Sequence, residues 1–208
     1  MANALNPPPV NDPFDLQNRP SQSWLRWVNA LYTLVNDMAI DPASQCMAVI
    51  DSPHHEIHAG RLFSYSDAVT LGNGVSQDYV IVTPATGPAC HLEIAADGVG
   101  VTSFSLYEGT DKTPTTLQAP WNRNRLSSTV NTTLVYKGDS AGTTDGTLLS
   151  TYSSGTATNQ SRSASNVDFS HEVILKMNTK YIFRVTSGTA ANLCNVQFDW
   201  YELTYGTF

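Results

Sequence analysis

Three imidazoles and a carboxylate fall within five residues at His54-His55-Glu56-Ile57-His58. Histidine nitrogens and carboxylate oxygens are metal ligands, so no other stretch of the chain carries donors as densely. The zinc-protease pattern H-E-x-x-H sets two histidines one helical turn apart with the glutamate beside the first. His55-Glu56-Ile57-His58 is one residue too short for it, and Pro53 stands just before. If Ile57 begins a strand, Glu56 and His58 share one face and His55 faces away. A metal would then need His91 or His171 to converge on the cluster. The plainer expectation is a hydrogen-bonded strand start, in which His and Glu satisfy neighbouring backbone groups. The sequence is read as holding no metal and no cofactor.

Other chemistry is thinly marked. There is no G-x-S-x-G elbow to expose a serine nucleophile. Glu93 with Glu108 is a pair of carboxylates of the kind that glycoside cleavage uses, but nothing in their spacing recommends them. Gly72-Asn73-Gly74 precedes a strand pattern and not a helix, so it forms no phosphate cradle. Trp121, Tyr136, Tyr152 and Tyr205 are either sugar-stacking platforms or core and interface residues. No catalytic residue is expected.

These residues need elements to hold them. The chain has 208 residues, 41% hydrophobic and 14% charged, a balance that a disordered chain would reverse. Its net charge of −7 leaves Arg123 and Arg125 as the longest basic cluster, too little for a nucleic-acid partner. Cys46, Cys90 and Cys194 are few, odd in number and widely spaced, as small buried apolar groups would be. No apolar run nears the roughly 18 residues a membrane span needs, and no signal-peptide pattern opens the chain.

Three sections follow from pattern. Residues 1–20 form an extended arm, with Pro7, Pro8, Pro9, Pro13 and Pro20 excluding helix and Val10, Phe14 and Leu16 as apolar pegs. Residues 21–47 are the helical section. Trp24, Val28, Leu31, Val35 and Met38 follow alternating spacings of four and three, and Asp41-Pro42 ends the run. That stripe suits a helix lying on its own domain, or one packed against copies of itself about a symmetry axis. Residues 48–208 read as β throughout. Short runs such as Ala89–Ala95, Tyr181–Thr186 and Val196–Leu203 alternate with turn signals at Gly72-Asn73-Gly74, Asp145-Gly146 and Asn178-Thr179. Further strands are expected at Ala48–Asp51, Ile57–Ser64, Tyr79–Thr83, Val101–Tyr107, Ser128–Val135 and Glu172–Leu175, with a surface loop at Ser150–Ser165. The fold class predicted is mainly β: a jelly-roll β-sandwich preceded by the arm and one amphipathic helix.

Six stretches, in order, carry a resemblance. They are His54-His55-Glu56-Ile57-His58-Ala59-Gly60, Ile81-Val82-Thr83-Pro84, Leu106-Tyr107-Glu108-Gly109, Asn122-Arg123-Asn124-Arg125, Leu175-Lys176-Met177-Asn178-Thr179-Lys180-Tyr181 and Asp199-Trp200-Tyr201-Glu202. Together they resemble tailed-phage virion proteins of the head-decoration or cement type. Members of that family often carry Pro where Met177 stands and Ser where Leu126 stands. The resemblance implies a virion location, self-association and no catalytic residues. The expectation is a structural protein on the outside of a capsid, made in the host cytoplasm, with the major capsid protein and further copies of itself, as a homotrimer, for partners. In that scheme Val10, Phe14 and Leu16 attach to the capsid, and the Trp24–Met38 stripe is the interface between copies. The alternative is a carbohydrate-binding or adhesive module of a tail or fibre base, with a glycan as partner.

Overall fold

The computed structural model describes residues 22–37, 52–155 and 167–204. The chain divides into two units, residues 1–51 and 52–208. In the first, α1 spans Gln22–Asp37 and includes Trp24, Val28, Leu31 and Val35. Trp24 and Trp27 meet edge to face with centroids 5.6 Å apart, while Leu25 and Val28 are exposed. Val10, Phe14, Leu16, Met38 and the strand expected at residues 48–51 lie outside the described residues, as does the side chain of Val35.

The second unit begins with a departure from expectation. Residues Ser52–His58 form a helix, α2, and not the start of a strand. Proline is tolerated in a first helical turn, where its missing N–H has no intrahelical partner, so Pro53 does not oppose it. The stop signal is Ala59-Gly60. Gly60 takes φ +69°; its N–H bonds Ile57 O at 2.9 Å and the Arg61 N–H bonds Glu56 O at 3.0 Å. This 5→2 and 6→1 pair is the Schellman ending of a helix.

Eleven strands follow. In chain order β1 is Leu62–Leu71, β2 Ser76–Val82, β3 Ala89–Gly98, β4 Thr102–Glu108, β5 Thr113–Leu117 and β6 Trp121–Asn122. Then come β7 at Leu134–Ser140, β8 at Thr147–Ser154, β9 at Val167–Ile174, β10 at Lys180–Ser187 and β11 at Asn192–Leu203. They form two antiparallel sheets, β6-β1-β11-β3-β9 and β5-β7-β2-β10-β4-β8, packed face to face as a β-sandwich. Every sheet neighbour of β11 is remote in sequence: Leu62 pairs with Tyr201 and Leu71 with Asn192.

Period-two alternation builds the core. Along β11, Cys194, Val196, Phe198 and Trp200 point inward and are buried. From the other sheet Tyr79, Phe104 and Phe183 meet them, with Phe183 edge to face on Phe198 at 5.5 Å. The six-stranded sheet is buried on its outer side too, at Val80 and Ile182. Lys112 lies over that side: its carbonyl accepts from Lys180 Nζ, and its own Nζ reaches Asp78.

Some strand expectations fail at the margins. Ser128–Val135 is a strand only from Leu134. Strands β5, β6 and β8 are missed, because these short or Ser/Thr-rich edge strands bury little and show no apolar alternation. Ser150–Ser154 belongs to β8 and not to a loop. The β9 strand departs from regular pairing: Leu92 faces Val173 and Ile94 faces Phe169, so three residues oppose one. A bulge of this kind re-aims side chains.

Candidate functional site

The sandwich has two ends. One, here the base, is where β1, β3, β7, β8 and β10 start and β2, β4, β9 and β11 finish. All six stretches singled out in the sequence lie there. The base is therefore the candidate site.

Helix α2 is fixed first. Arg61 Nε donates to Glu56 Oε2 at 2.6 Å and Nη2 to Oε1 at 3.0 Å, a forked pair across the helix end. The Arg61 hydrogen bond holds the Glu56 carboxyl below its usual pKa against the opposing effect of burial. The Asn-Arg-Asn-Arg stretch supplies two successive Asx turns. Asn122 Oδ1 accepts from Asn124 N, and Asn124 Oδ1 accepts from Leu126 N. The two amide groups then clamp the helix ending: Asn122 Nδ2 donates to Gly60 O at 2.8 Å and Asn124 Nδ2 to His58 O at 3.1 Å.

Glu202 continues the inward row of β11 past Trp200 and closes the core with a buried carboxylate. Its donors are all neutral. Thr132 N and Thr133 N donate at 2.8–2.9 Å, Thr132 Oγ1 at 2.8 Å and Trp200 Nε1 at 3.2 Å. These bonds hold residues 132–133 in place of the ladder that a strand would have given them.

The Leu175–Tyr181 turn is locked to two other strands. Thr83 Oγ1 lies 2.7 Å from Lys176 O and accepts from Thr179 N at 2.9 Å, while Asn178 N donates to Pro84 O with Asn178 at φ +49°. The Tyr181 hydroxyl accepts from Lys176 N and donates to Glu108 Oε2, and Lys176 Nζ pairs with Glu108 Oε1 at 2.7 Å. Lys176 pulls the Glu108 pKa down. Burial pushes the Tyr181 phenol up to about 12.

Beside the base, on the outer face of the five-stranded sheet, His91 is stacked on Tyr201 at 4.6 Å and its Nδ1 bonds Glu172, which the β9 bulge carries. The Tyr201 hydroxyl donates to the other Glu172 oxygen at 2.5 Å. Burial works to raise the Glu172 pKa, but the bonds from Tyr201 and His91 outweigh it and hold it low. Burial raises the Tyr201 phenol, and Glu172 adds to that. The cluster fastens β9 to β3 and β11. On the six-stranded sheet, Arg184 forks onto both Asp78 and Asp145, and Lys112 adds ion pairs to Asp145 at 2.7 Å and Asp139 at 3.0 Å. The Asp139 contact lacks hydrogen-bond geometry. The Arg184 hydrogen bonds hold the Asp145 carboxyl at about 2.

The other sequence candidates are dispersed. Glu93 lies on β3 and Glu108 at the end of β4, in different sheets. Trp121 and Tyr152 are exposed on edge strands of opposite sheets, Tyr136 is half-buried on β7, and Tyr205 lies outside the described residues, as does the His171 side chain. His54 and His58 come together on α2, whereas His55 turns to Glu56. No group of three or more His, Cys, Asp or Glu is placed to hold a metal among the described residues. The sequence reading missed Glu202, although strand alternation already put it on the side of Trp200. Comparison of the chain with protein-family models, with curated proteins and with solved structures finds no match.

Proposed function

We propose that this chain is a virion structural protein that decorates the outside of a phage capsid and stabilises it, with its base end toward the particle. The observation that carries the reading is the gathering of all six resembling stretches at the base. A docking end must keep its shape, whereas turns at the far end are free to vary. We also read the sandwich as a jelly roll. Setting aside the flanking β5, β6 and β7, the order β1-β11-β3-β9 against β2-β10-β4-β8 interleaves early and late strands as two Greek keys would. Its partners are the major capsid protein and further copies of itself. The apolar face of α1, with Leu25 and Val28 exposed, supports self-association as a homotrimer. The Pro-rich arm, with Val10, Phe14 and Leu16, is the attachment strand, ordered on binding.

The test is deletion of residues 2–19, followed by mixing with particles that lack the protein. The expected result is an unchanged melting temperature and at least tenfold weaker binding, about 1.4 kcal/mol. Parental affinity would reject the arm as the attachment element, and no binding by either form would reject the capsid role. Trp24→Asp with Leu31→Asp should yield monomers that keep the β-domain; a parent chain that sediments as a monomer would reject self-association.

A glycan-binding role has one observation in its favour. On the outer face of the five-stranded sheet, exposed Trp121 pairs with Ser64, whose hydroxyl bonds Asp199, beside Gln197. Trp121→Ala would abolish glycan retention on that reading and leave particle binding intact.

A further inference from the structure

The helical form of Ser52–His58 changes what its histidines can do. His54 and His58 are four residues apart on α2, one turn, and so project from the same face. Their Nε2 atoms are 2.9 Å apart, their rings meet at 67° with centroids 4.6 Å apart, and both residues are exposed. The geometry points to a two-histidine chelate for a divalent transition-metal ion, with Cu2+ preferred over Ni2+ and Zn2+.

Two imidazole nitrogens that close normally share a proton. A cation that takes the place of that proton holds the two nitrogens at a similar separation. With metal–nitrogen bonds of about 2.0–2.1 Å, nitrogens 2.9 Å apart subtend an angle of about 90° at the ion. That is the angle between neighbouring ligands of a tetragonal or square-planar ion, the preference of Cu2+ and Ni2+. A tetrahedral ion such as Zn2+ would need the nitrogens about 3.3 Å apart, and the rings would have to open. The general order of affinity for nitrogen ligands places Cu2+ above both Ni2+ and Zn2+.

The support is already built. The face opposite the pair is anchored by the buried Glu56 and its fork to Arg61, and the carbonyl of His58 itself accepts from Asn124 Nδ2. The helix is therefore held before any ion arrives, so little ordering opposes binding. Glu56 is committed to Arg61 and His55, so it does not complete the coordination.

The experiment titrates the full-length, untagged chain with CuCl2, NiCl2 and ZnCl2 at neutral pH by calorimetry. One Cu2+ per chain should bind, at least tenfold more tightly than Zn2+. His54→Ala and His58→Ala should each weaken Cu2+ binding at least tenfold, and His55→Ala should change it less than twofold. In the unaltered chain, Cu2+ should slow diethyl pyrocarbonate modification of His54 and His58 and leave His55 unprotected; this readout needs no variant to fold. Cu2+ binding that survives both replacements would put the ion elsewhere, for example on the terminal amine, and would overturn the proposal. Zn2+ binding as tight as Cu2+, or no protection of the pair, would overturn it equally.

Discussion

The inward row of β11 is apolar in the middle and polar at both tips, and the tips differ. At the far end stands Asn192, a buried neutral amide. It accepts from Gly100 N at 2.7 Å and donates to Thr102 Oγ1 at 2.8 Å and Val101 O at 3.3 Å. At the base stands Glu202, a buried carboxylate that organises residues 132–133. Both close the core to water and satisfy backbone that no ladder reaches. The amide joins turns three and four residues long, residues 99–101 and 188–191, whose shape glycine and threonine already set. The carboxylate holds a longer irregular segment, for which four or more strong bonds are needed. A charged acceptor makes bonds about twice as strong as a neutral one, and the base also leans on Glu56, Glu108 and Glu172.

The largest break in this comparison should come from Glu202→Ala. It leaves two backbone N–H groups, a hydroxyl and the Trp200 indole without their acceptor, for a loss of roughly 3–5 kcal/mol, read from the urea midpoint. A loss below about 1 kcal/mol would show that water replaces the carboxylate and that the base is not anchored there. Gly60→Ala should come next. The position has positive φ, and a Cβ would sit 2.3 Å from Ser127 Oγ, so a cost of about 2–3 kcal/mol is expected from the two effects together. The amide tip should be cheaper: Asn192→Ala should cost about 2 kcal/mol, equally at pH 4 and pH 7.

Acid should separate the ends further. The folded-state pKa values of Glu56, Glu108 and Glu172 are lowered. The folded protein therefore binds these protons less readily than the unfolded chain does. The stability they contribute is full above the ordinary Glu value of about 4.3 and is lost as pH falls from there through the lowered values. Hydrogen exchange at pH 3 should open residues 56–61 and 172–181 before 99–102 and 188–192; equal opening would erase the distinction. The smallest effect is on thiol access. Cys90 sits beside the base and Cys194 beside Asn192, and burial pushes both thiols up, Cys90 to about 12. In a Cys46→Ser background, Glu202→Ala should speed labelling of Cys90 more than of Cys194, and Asn192→Ala should do the reverse.

Much of the sandwich was legible because burial on one face prints a period of two. Tyr181–Thr186 and Val196–Leu203 were visible for that reason. The edge strands β5 and β8 were not, since a strand that buries little has no apolar side to alternate. Helix α2 was hidden for another reason: its seven residues carry no apolar stripe, and its one strong signal, Gly60 after Ala59, reads as a helix ending only if the helix is already suspected. The base anchors were the least legible. Asn122, Asn124 and Glu202 were seen as letters in a pattern, but their acceptors and donors lie in segments from 2 to 70 residues away. Spacing along the chain carries no trace of such pairings.

The position of β11 has a consequence for synthesis. It sits between β1 and β3 and is the last of the described strands to be synthesised. Until then β1 and β3 have no strand between them, and the five-stranded sheet has no centre. The nascent chain cannot complete this layer piecemeal, and its non-local pairings should make folding slow for its size. Half-made copies would show open strand edges. A ribosome stalled before residue 192 should therefore hold a protease-sensitive chain, and the last dozen residues of the sandwich should convert it to a resistant one in a single step.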